Sequence, residues 1–327
     1  MWGLLALFTT QTGAVPPLLL TALSFGIATG LISVKWLVYR DNVISHLRQP
    51  LSAWMVGVIG LFGYHFFYFM ALRHAPPVEA GLIAYMWPLL IVLFSAFLPG
   101  ERLRWFHLAG AIAGLAGAAI LITGRAGLPE FQTEFILGYV MAVCCALTWS
   151  IYSIVNRRFG SVPSDTVGGF CAATAILAAL CHLGFETTVW PNGALQWFAV
   201  LGLGLFPVGM AFFTWDYGTK HGDIKVLGAF AYAAPLISTA LLILFGQGKA
   251  TWAVGMGCLL IVGGAVLAAK VDVASLERHR GPVRDPLLEG AILGVSENLS
   301  RSVIRRVHHD ADGHVGRQRL DHSRRAR

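Results

Sequence analysis

Charge is scarce in this chain. Asp, Glu, Lys and Arg make up 13% of the 327 residues, against 56% hydrophobic residues, and the mean hydropathy is +0.66. A soluble domain carries about 25% charged residues because its surface must face water. The shortage excludes a soluble fold, a disordered chain and a nucleic-acid-binding domain, and points to an integral membrane protein. The net charge of +7 does not alter this, because 11 of the 24 Lys and Arg lie beyond Asp272, in a tail of abruptly different composition. No nucleic-acid partner is expected.

Cysteine is equally uninformative as chemistry. Cys144, Cys145, Cys171, Cys181 and Cys258 are odd in number, sit in apolar runs and lack paired metal-ligand spacing. They read as packing thiols, so neither a disulfide scaffold nor a metal site is expected. Enzyme signatures are absent too: there is no His-Glu-x-x-His, no Gly-x-Ser-x-Gly and no P-loop. Gly202-x-Gly204 lies in an apolar run with no strand before it, and Asp216 has no second buried aspartate for an intramembrane protease. An enzyme is not expected, nor any cofactor.

What is present is apolar sequence in long runs. A helix crossing the hydrocarbon needs about 20 apolar residues. Nine runs qualify: Pro17–Leu37, Leu51–Leu72, Val78–Leu98, Trp105–Thr123, Phe135–Val155, Thr166–Phe185, Leu195–Tyr217, Lys225–Phe245 and Thr251–Ala269. Met1–Thr10 is apolar but half a span long, and it lacks the basic start of a signal peptide. It reads as the second half of a first helix truncated at its N-terminus, which makes ten helices. Threading that helix outward puts Lys35, Arg40, Arg48, Arg102, Arg104, Arg157, Arg158, Lys220, Lys225 and Lys270 inside. Only Arg73, Arg125 and Lys249 then lie outside. The bias predicts cytoplasmic termini.

Sliding the chain against itself by 147 residues superposes rare residues: Trp2 on Trp149, His74 on His221, Tyr85 on Tyr232, Pro88 on Pro235 and Trp105 on Trp252. Gly81, Gly110 and Gly117 fall on Gly228, Gly257 and Gly264. Shared glycines alone would say little of two apolar halves; shared tryptophans and prolines say more. Five helices per half is odd, so the second half enters the bilayer inverted, a layout common in secondary transporters. The predicted organisation is a first repeat over 1–124, an outer linker over 125–134, a second repeat over 135–270 and a basic, disordered cytoplasmic tail over 271–327. The fold class is an all-α membrane bundle of 5+5 inverted helices.

Certain motifs carry a family likeness. Ala146-Leu147-Thr148-Trp149-Ser150-Ile151-Tyr152 followed by Asn156-Arg157-Arg158, and Tyr85-Met86-Trp87-Pro88 followed by Pro99-Gly100-Glu101-Arg102, resemble the drug/metabolite transporter superfamily in its ten-helix, EamA-type exporter branch. Trp215-Asp216-Tyr217-Gly218, Gly222-Asp223 and Tyr232-Ala233-Ala234-Pro235-Leu236 are similar to its aromatic amino acid exporter group. The resemblance covers nearly all of Met1 to Lys270, with Gly248 standing where the repeat would place a second Glu101. It implies a carrier of the bacterial inner membrane with a central cavity, lined by helices one, three, four, six, eight and nine. Its substrates would be aromatic and other neutral amino acids, moved by alternating access.

The residues support a site independently. Polar side chains are costly in hydrocarbon and usually face a cavity or another helix. Tyr64, His65 and Tyr68 share a face of the third helix. The fourth helix offers Tyr85, Trp87 and Pro88, the sixth Trp149, Tyr152, Ser153 and Asn156, and the ninth Tyr232, Pro235, Ser238 and Thr239. The substrate-binding set is read as Tyr64, His65, Tyr68, Tyr85, Trp87, Pro88, Trp149, Tyr152 and Tyr232. Aromatic faces would stack a ring or meet an ammonium group, and hydroxyl or imidazole groups would bond a carboxylate. No charged residue lies at mid-depth, which disfavours a strongly anionic substrate. Packing remains the alternative for each; Trp105, Trp190, Trp197 and Trp252 read as interfacial belts.

Pro88, Pro207 and Pro235 are candidate hinges, each removing a mid-helix hydrogen bond. Gly26-xxx-Gly30, Gly110-xxx-Gly114 and the Gly57, Gly60, Gly63 row would let helices touch, inside the protein or between copies. Asp216 and Lys220 read as a salt bridge or gate, Glu101 with Arg102 and Arg104 as a solvated anchor, and His182 as structural, with nothing polar on its face. The partners expected are a small-molecule substrate and the lipid bilayer, with a monomer favoured over a dimer. An exporter of another small metabolite or amphipathic drug, and a passive channel, stay open as alternatives.

Overall fold

In hydrocarbon no water can satisfy exposed N–H and C=O groups, so each apolar run must close its own hydrogen bonds as a helix. The computed structural model obeys this. It describes residues 1–101, 103–126, 131–246 and 250–268. Expectations for Arg102, Gly248, Lys249, Lys270, part of the linker and the tail lie outside the described residues.

A 3-10 turn at Trp2–Leu4 leads into the short helix α1 (Leu5–Thr9). The spans follow as α2 (Pro17–Tyr39), α3 (Leu51–His74), α4 (Pro77–Phe97), α5 (Trp105–Gly124), α6 (Thr133–Phe159), α7 (Ser164–Phe185), α8 (Gly193–His221) and α9 (Ile224–Leu244). These eight described helices are long and apolar enough to cross a membrane, and α10 (Trp252–Ala268) is shorter. One end of the bundle gathers Arg40, Arg48, Glu101, Arg157, Lys220 and Lys225; it is called the basic end below. The other carries Arg73 and Glu186.

Two helix pairs hold the bundle. In α5 and α10 the backbones touch: a Cβ on Gly110 would stand 2.4 Å from the Gly264 carbonyl oxygen, and one on Gly117 2.8 Å from that of Gly257. Gly26 and Gly30 meet nothing within 4 Å, so they take no part in internal packing. Helices α2 and α7 are tied at both ends. The Glu186 carboxylate accepts from Leu18 N at 3.0 Å and Leu19 N at 3.2 Å, capping the donors that the start of α2 leaves free. At the basic end Lys35 Nζ lies 2.6 Å from Asp165.

The interruptions fall in pairs. A π-helical turn occupies Ile59–Gly63 in α3, and another Gly204–Met210 in α8, around Pro207. The offset of 147 carries the first segment into the second. Helix α4 breaks at Tyr85 and Met86, and α9 at Tyr232. Pro88 and Pro235 therefore stand in the first turn after a break. The expectation that each removes a mid-helix hydrogen bond needs this correction: at the start of a segment the missing N–H has no intrahelical partner to lose.

Candidate functional site

The wide turns of α3 and α8 and the break in α4 aim aromatic side chains at a common centre. Trp149, from α6, is the hub. Its ring centroid lies 5.2 Å from Tyr64, 5.1 Å from Tyr152, 5.5 Å from Phe212, 5.8 Å from Trp215, 5.9 Å from Trp2 and 6.2 Å from Trp87. His65 faces Phe25 at 5.0 Å and Phe212 at 5.8 Å, and Tyr68 stacks on Tyr64. Six elements thus contribute: the Trp2 turn, α2, α3, α4, α6 and α8. The contacts of Trp149 with Trp2 and Trp87 are edge to face, and those with Tyr64, Tyr152, Phe212 and Trp215 are tilted; favourable aromatic pairs are worth about 0.5–1.5 kcal/mol each.

Exposure is graded. Trp87, Trp149, Tyr152, Phe212 and Trp215 are buried, whereas Tyr64, His65, Tyr68 and Tyr85 are half-buried. The half-buried members of the cluster, Tyr64, His65 and Tyr68, lie on α3 beyond its wide turn, nearer the end that carries Arg73.

Most polar atoms here are spoken for. Trp2 Nε1 donates to the Pro207 carbonyl at 3.0 Å, inside the π-turn of α8, and Trp215 Nε1 donates to Ser153 Oγ at 3.1 Å. Ser150 Oγ donates to the Trp87 carbonyl at 3.0 Å, tying α6 to the break in α4. His65 Nδ1 lies 2.7 Å from the Leu61 carbonyl. Among the fully buried atoms of the cluster Trp149 stands apart: its indole N–H has no acceptor among the described residues. A buried donor without a partner is uncommon in a folded protein and requires an explanation.

Of the expected substrate residues, the structure gathers Tyr64, His65, Tyr68, Trp87, Trp149 and Tyr152. Tyr232 lies elsewhere, against Ala118, Leu121 and Ile261 of α5 and α10; Tyr85 packs on that cluster too and also stands close to Tyr64 and Tyr68, which joins it to the aromatic centre. Tyr232 is fully buried, and its hydroxyl accepts from Leu89 N at 3.1 Å, next to Pro88. Its role in the structure is to close the break in α4. Tyr152 covers Gly60 and borders a lipid-facing groove of about 410 Å³ between α3 and α6. Trp2, Phe25, Phe212 and Trp215 were not among the expected residues. The repeat held the signal for three of them, since the offset places Trp2 on Trp149, His65 on Phe212 and Tyr68 on Trp215.

A polar layer closes the basic end. Asn156 Nδ2 donates to Asp216 Oδ1 at 2.9 Å and Thr219 Oγ1 at 3.0 Å. Lys220 Nζ lies 2.8 Å from Asp216 Oδ2, with both side chains at most 1% exposed, and donates to the Val162 carbonyl. Glu101 is no solvated anchor: its carboxylate binds Arg157 Nη2 at 3.1 Å and Lys225 Nζ at 2.6 Å. His182 does have polar partners on its own side, Glu186 and Thr188, each at 2.9 Å; it is structural because it holds the carboxylate that caps α2.

Broken, apolar helices around a buried aromatic cluster, closed at one end by charges, define a multi-pass membrane transporter. The EamA-like transporter family matches residues 1–123 and 136–270, and the chain belongs to that family. It is 56% identical over 268 residues to the aromatic amino acid exporter YddG of Ancylobacter novellus, covering 82% of this chain and 93% of that protein. It is 24% identical to the aromatic amino acid exporter YddG of Escherichia coli, over 60% of this chain and 68% of that one. A crystal structure with 54% identity superposes with a TM-score of 0.77, covering 82% of this chain and 93% of that chain. Membership of a transporter family sets the chain apart from enzymes.

Proposed function

We propose that the chain is a secondary transporter that exports aromatic and other neutral amino acids across a bacterial-type inner membrane. Two inverted five-helix repeats, 1–124 and 135–270, alternate access to the aromatic cluster between them, and both termini are cytoplasmic, with the basic end inside. Substrate-contacting residues in this reading are Tyr64, His65, Tyr68, Trp87 and Trp149. Tyr152, Tyr85 and Tyr232 support them from behind, and Pro88, Pro207 and Pro235 mark where the helices bend.

The single observation that carries this is the unpartnered N–H of Trp149 at the centre of an aromatic cluster. Stacked rings suit an apolar side chain, and an N–H donor suits a carboxylate. The similarity to aromatic amino acid exporters supports the same substrate class. The grading of exposure away from the basic end fits an outward-facing state.

The test is competition for labelled phenylalanine uptake into proteoliposomes. Unlabelled phenylalanine, tryptophan and leucine should compete, and a nucleotide sugar should not. Competition by amphipathic cations alone would favour a drug exporter, a reading to which the apolar groove beside Tyr152 lends some support.

A further inference from the structure

Glu101 joins three helices by one carboxylate. It follows α4, its Oε1 takes Arg157 at the end of α6, and its Oε2 takes Lys225 at the start of α9. Each partner is held from behind. Arg157 Nη1 donates to the carbonyls of Thr219 and Gly222 at the end of α8. Lys225 sits in the first turn of α9, where Asp223 Oδ1 accepts from its backbone N at 2.9 Å. The three side chains are 19%, 26% and 10% exposed, so the ions are largely shielded from water. Directly behind them lies the Asn156, Asp216, Thr219 and Lys220 layer, and behind that Ser153 and Trp149.

The triad is not repeated in the other half: the offset of 147 puts Gly248 in the place of Glu101, Thr10 in that of Arg157, Val78 in that of Lys225, Phe69 in that of Asp216 and Arg73 in that of Lys220. The opposite end carries a different buried carboxylate, Glu79 in the first turn of α4, so a closure made there draws on other groups.

We propose that Glu101, Arg157 and Lys225 form a latch, which holds the basic end shut and biases the resting carrier toward the state open at the other end. The latch rests on the alternating-access reading above. A shielded carboxylate shared by two cations favours closure only while all three charges are present, because removing one leaves the others partly desolvated and unpaired. Opening the basic end separates α4 from α6 and α9 and returns the three groups to water. A contact made in one state only shifts the population by its differential energy.

The test uses the full chain with its five cysteines replaced and one reporter cysteine added. Ser153→Cys lies fully buried between Trp149 and the latch, and Tyr68→Cys lies on the half-buried side nearer the other end. Rates of N-ethylmaleimide labelling are compared in membrane vesicles with Glu101, Glu101→Gln or Glu101→Asp. Glu101→Gln should label Ser153→Cys about tenfold faster, equivalent to about 1.4 kcal/mol, and label Tyr68→Cys more slowly. Glu101→Asp, which keeps the charge, should stay near the parent. Equal rates in all three backgrounds would overturn the latch, as would a rise at both reporters together, which signals general loosening. Phenylalanine uptake by the unaltered chain, with neither reporter, separates the two ideas: if that chain moves no phenylalanine the substrate reading falls, and the labelling comparison stands intact.

Discussion

The indole rings of Trp2 and Trp149 meet edge to face with centroids 5.9 Å apart, although the two residues stand at the offset by which one half of the chain aligns with the other. Between α5 and α10 the contacts are crossed: Gly110 abuts Gly264 and Gly117 abuts Gly257, whereas the offset relates Gly110 to Gly257 and Gly117 to Gly264. Repeat-related segments thus pack against each other. A pocket built in this way belongs to both halves and is remade when they move.

If the Trp149 N–H bonds a substrate carboxylate, Trp149→Phe should weaken phenylalanine binding about tenfold, the worth of one hydrogen bond near 1.4 kcal/mol. The ring remains, so stacking on Tyr64 and Phe212 persists. Scintillation proximity with labelled phenylalanine gives the Kd, and an unchanged value would remove the N–H from the site.

A carbonyl oxygen can only accept, so His65 Nδ1 carries the proton in its contact with Leu61 and Nε2 keeps a lone pair. That lone pair suits an ammonium group. His65→Phe keeps the ring and deletes the acceptor. The preference for phenylalanine over 3-phenylpropionate should fall about tenfold, read from competition binding. An unaltered preference would assign the ammonium contact to another group.

Tyr232→Phe strands the Leu89 N–H beside the break in α4 and should cost about 1–3 kcal/mol of stability. Thermal unfolding in detergent should show it, while the Kd for phenylalanine stays as in the parent. A change in Kd without loss of stability would return Tyr232 to the binding set.

Asp216 and Lys220 are buried together. Asp216→Asn leaves the buried ammonium group without a counter-charge, facing only neutral oxygens, and should destabilise by about 3–5 kcal/mol. Asp216→Leu combined with Lys220→Met removes both charges and should recover much of that loss. If the double variant unfolds as early as the single one, the pair is held for more than charge balance.

The helices were legible because apolar runs of membrane length leave the backbone one choice: eight of the nine expected runs form described helices of spanning length, and the last is helical over the shorter Trp252–Ala268. Trp149, Tyr64 and His65 were legible because aromatic and polar groups at mid-depth are conspicuous. Which way such a residue faces is not written in its own span. Tyr232 points at the broken backbone of α4 rather than at Trp149, and only the packing of α9 against α4 and α5 decides that. Asp216 and Lys220 could be paired from a spacing of four, whereas Glu101 meets Arg157 and Lys225 at separations of 56 and 124 residues. Glu186 is one turn beyond His182, outside the apolar run, so the polar partner of that histidine is not visible within its own span.

Counterflow in proteoliposomes tests the central claim most directly. Vesicles preloaded with unlabelled phenylalanine should take up labelled phenylalanine faster than empty ones and overshoot equilibrium, and Trp149→Ala should abolish the overshoot. Uptake indifferent to the preload, or an overshoot of equal size in Trp149→Ala, would contradict a carrier whose two halves close around that tryptophan.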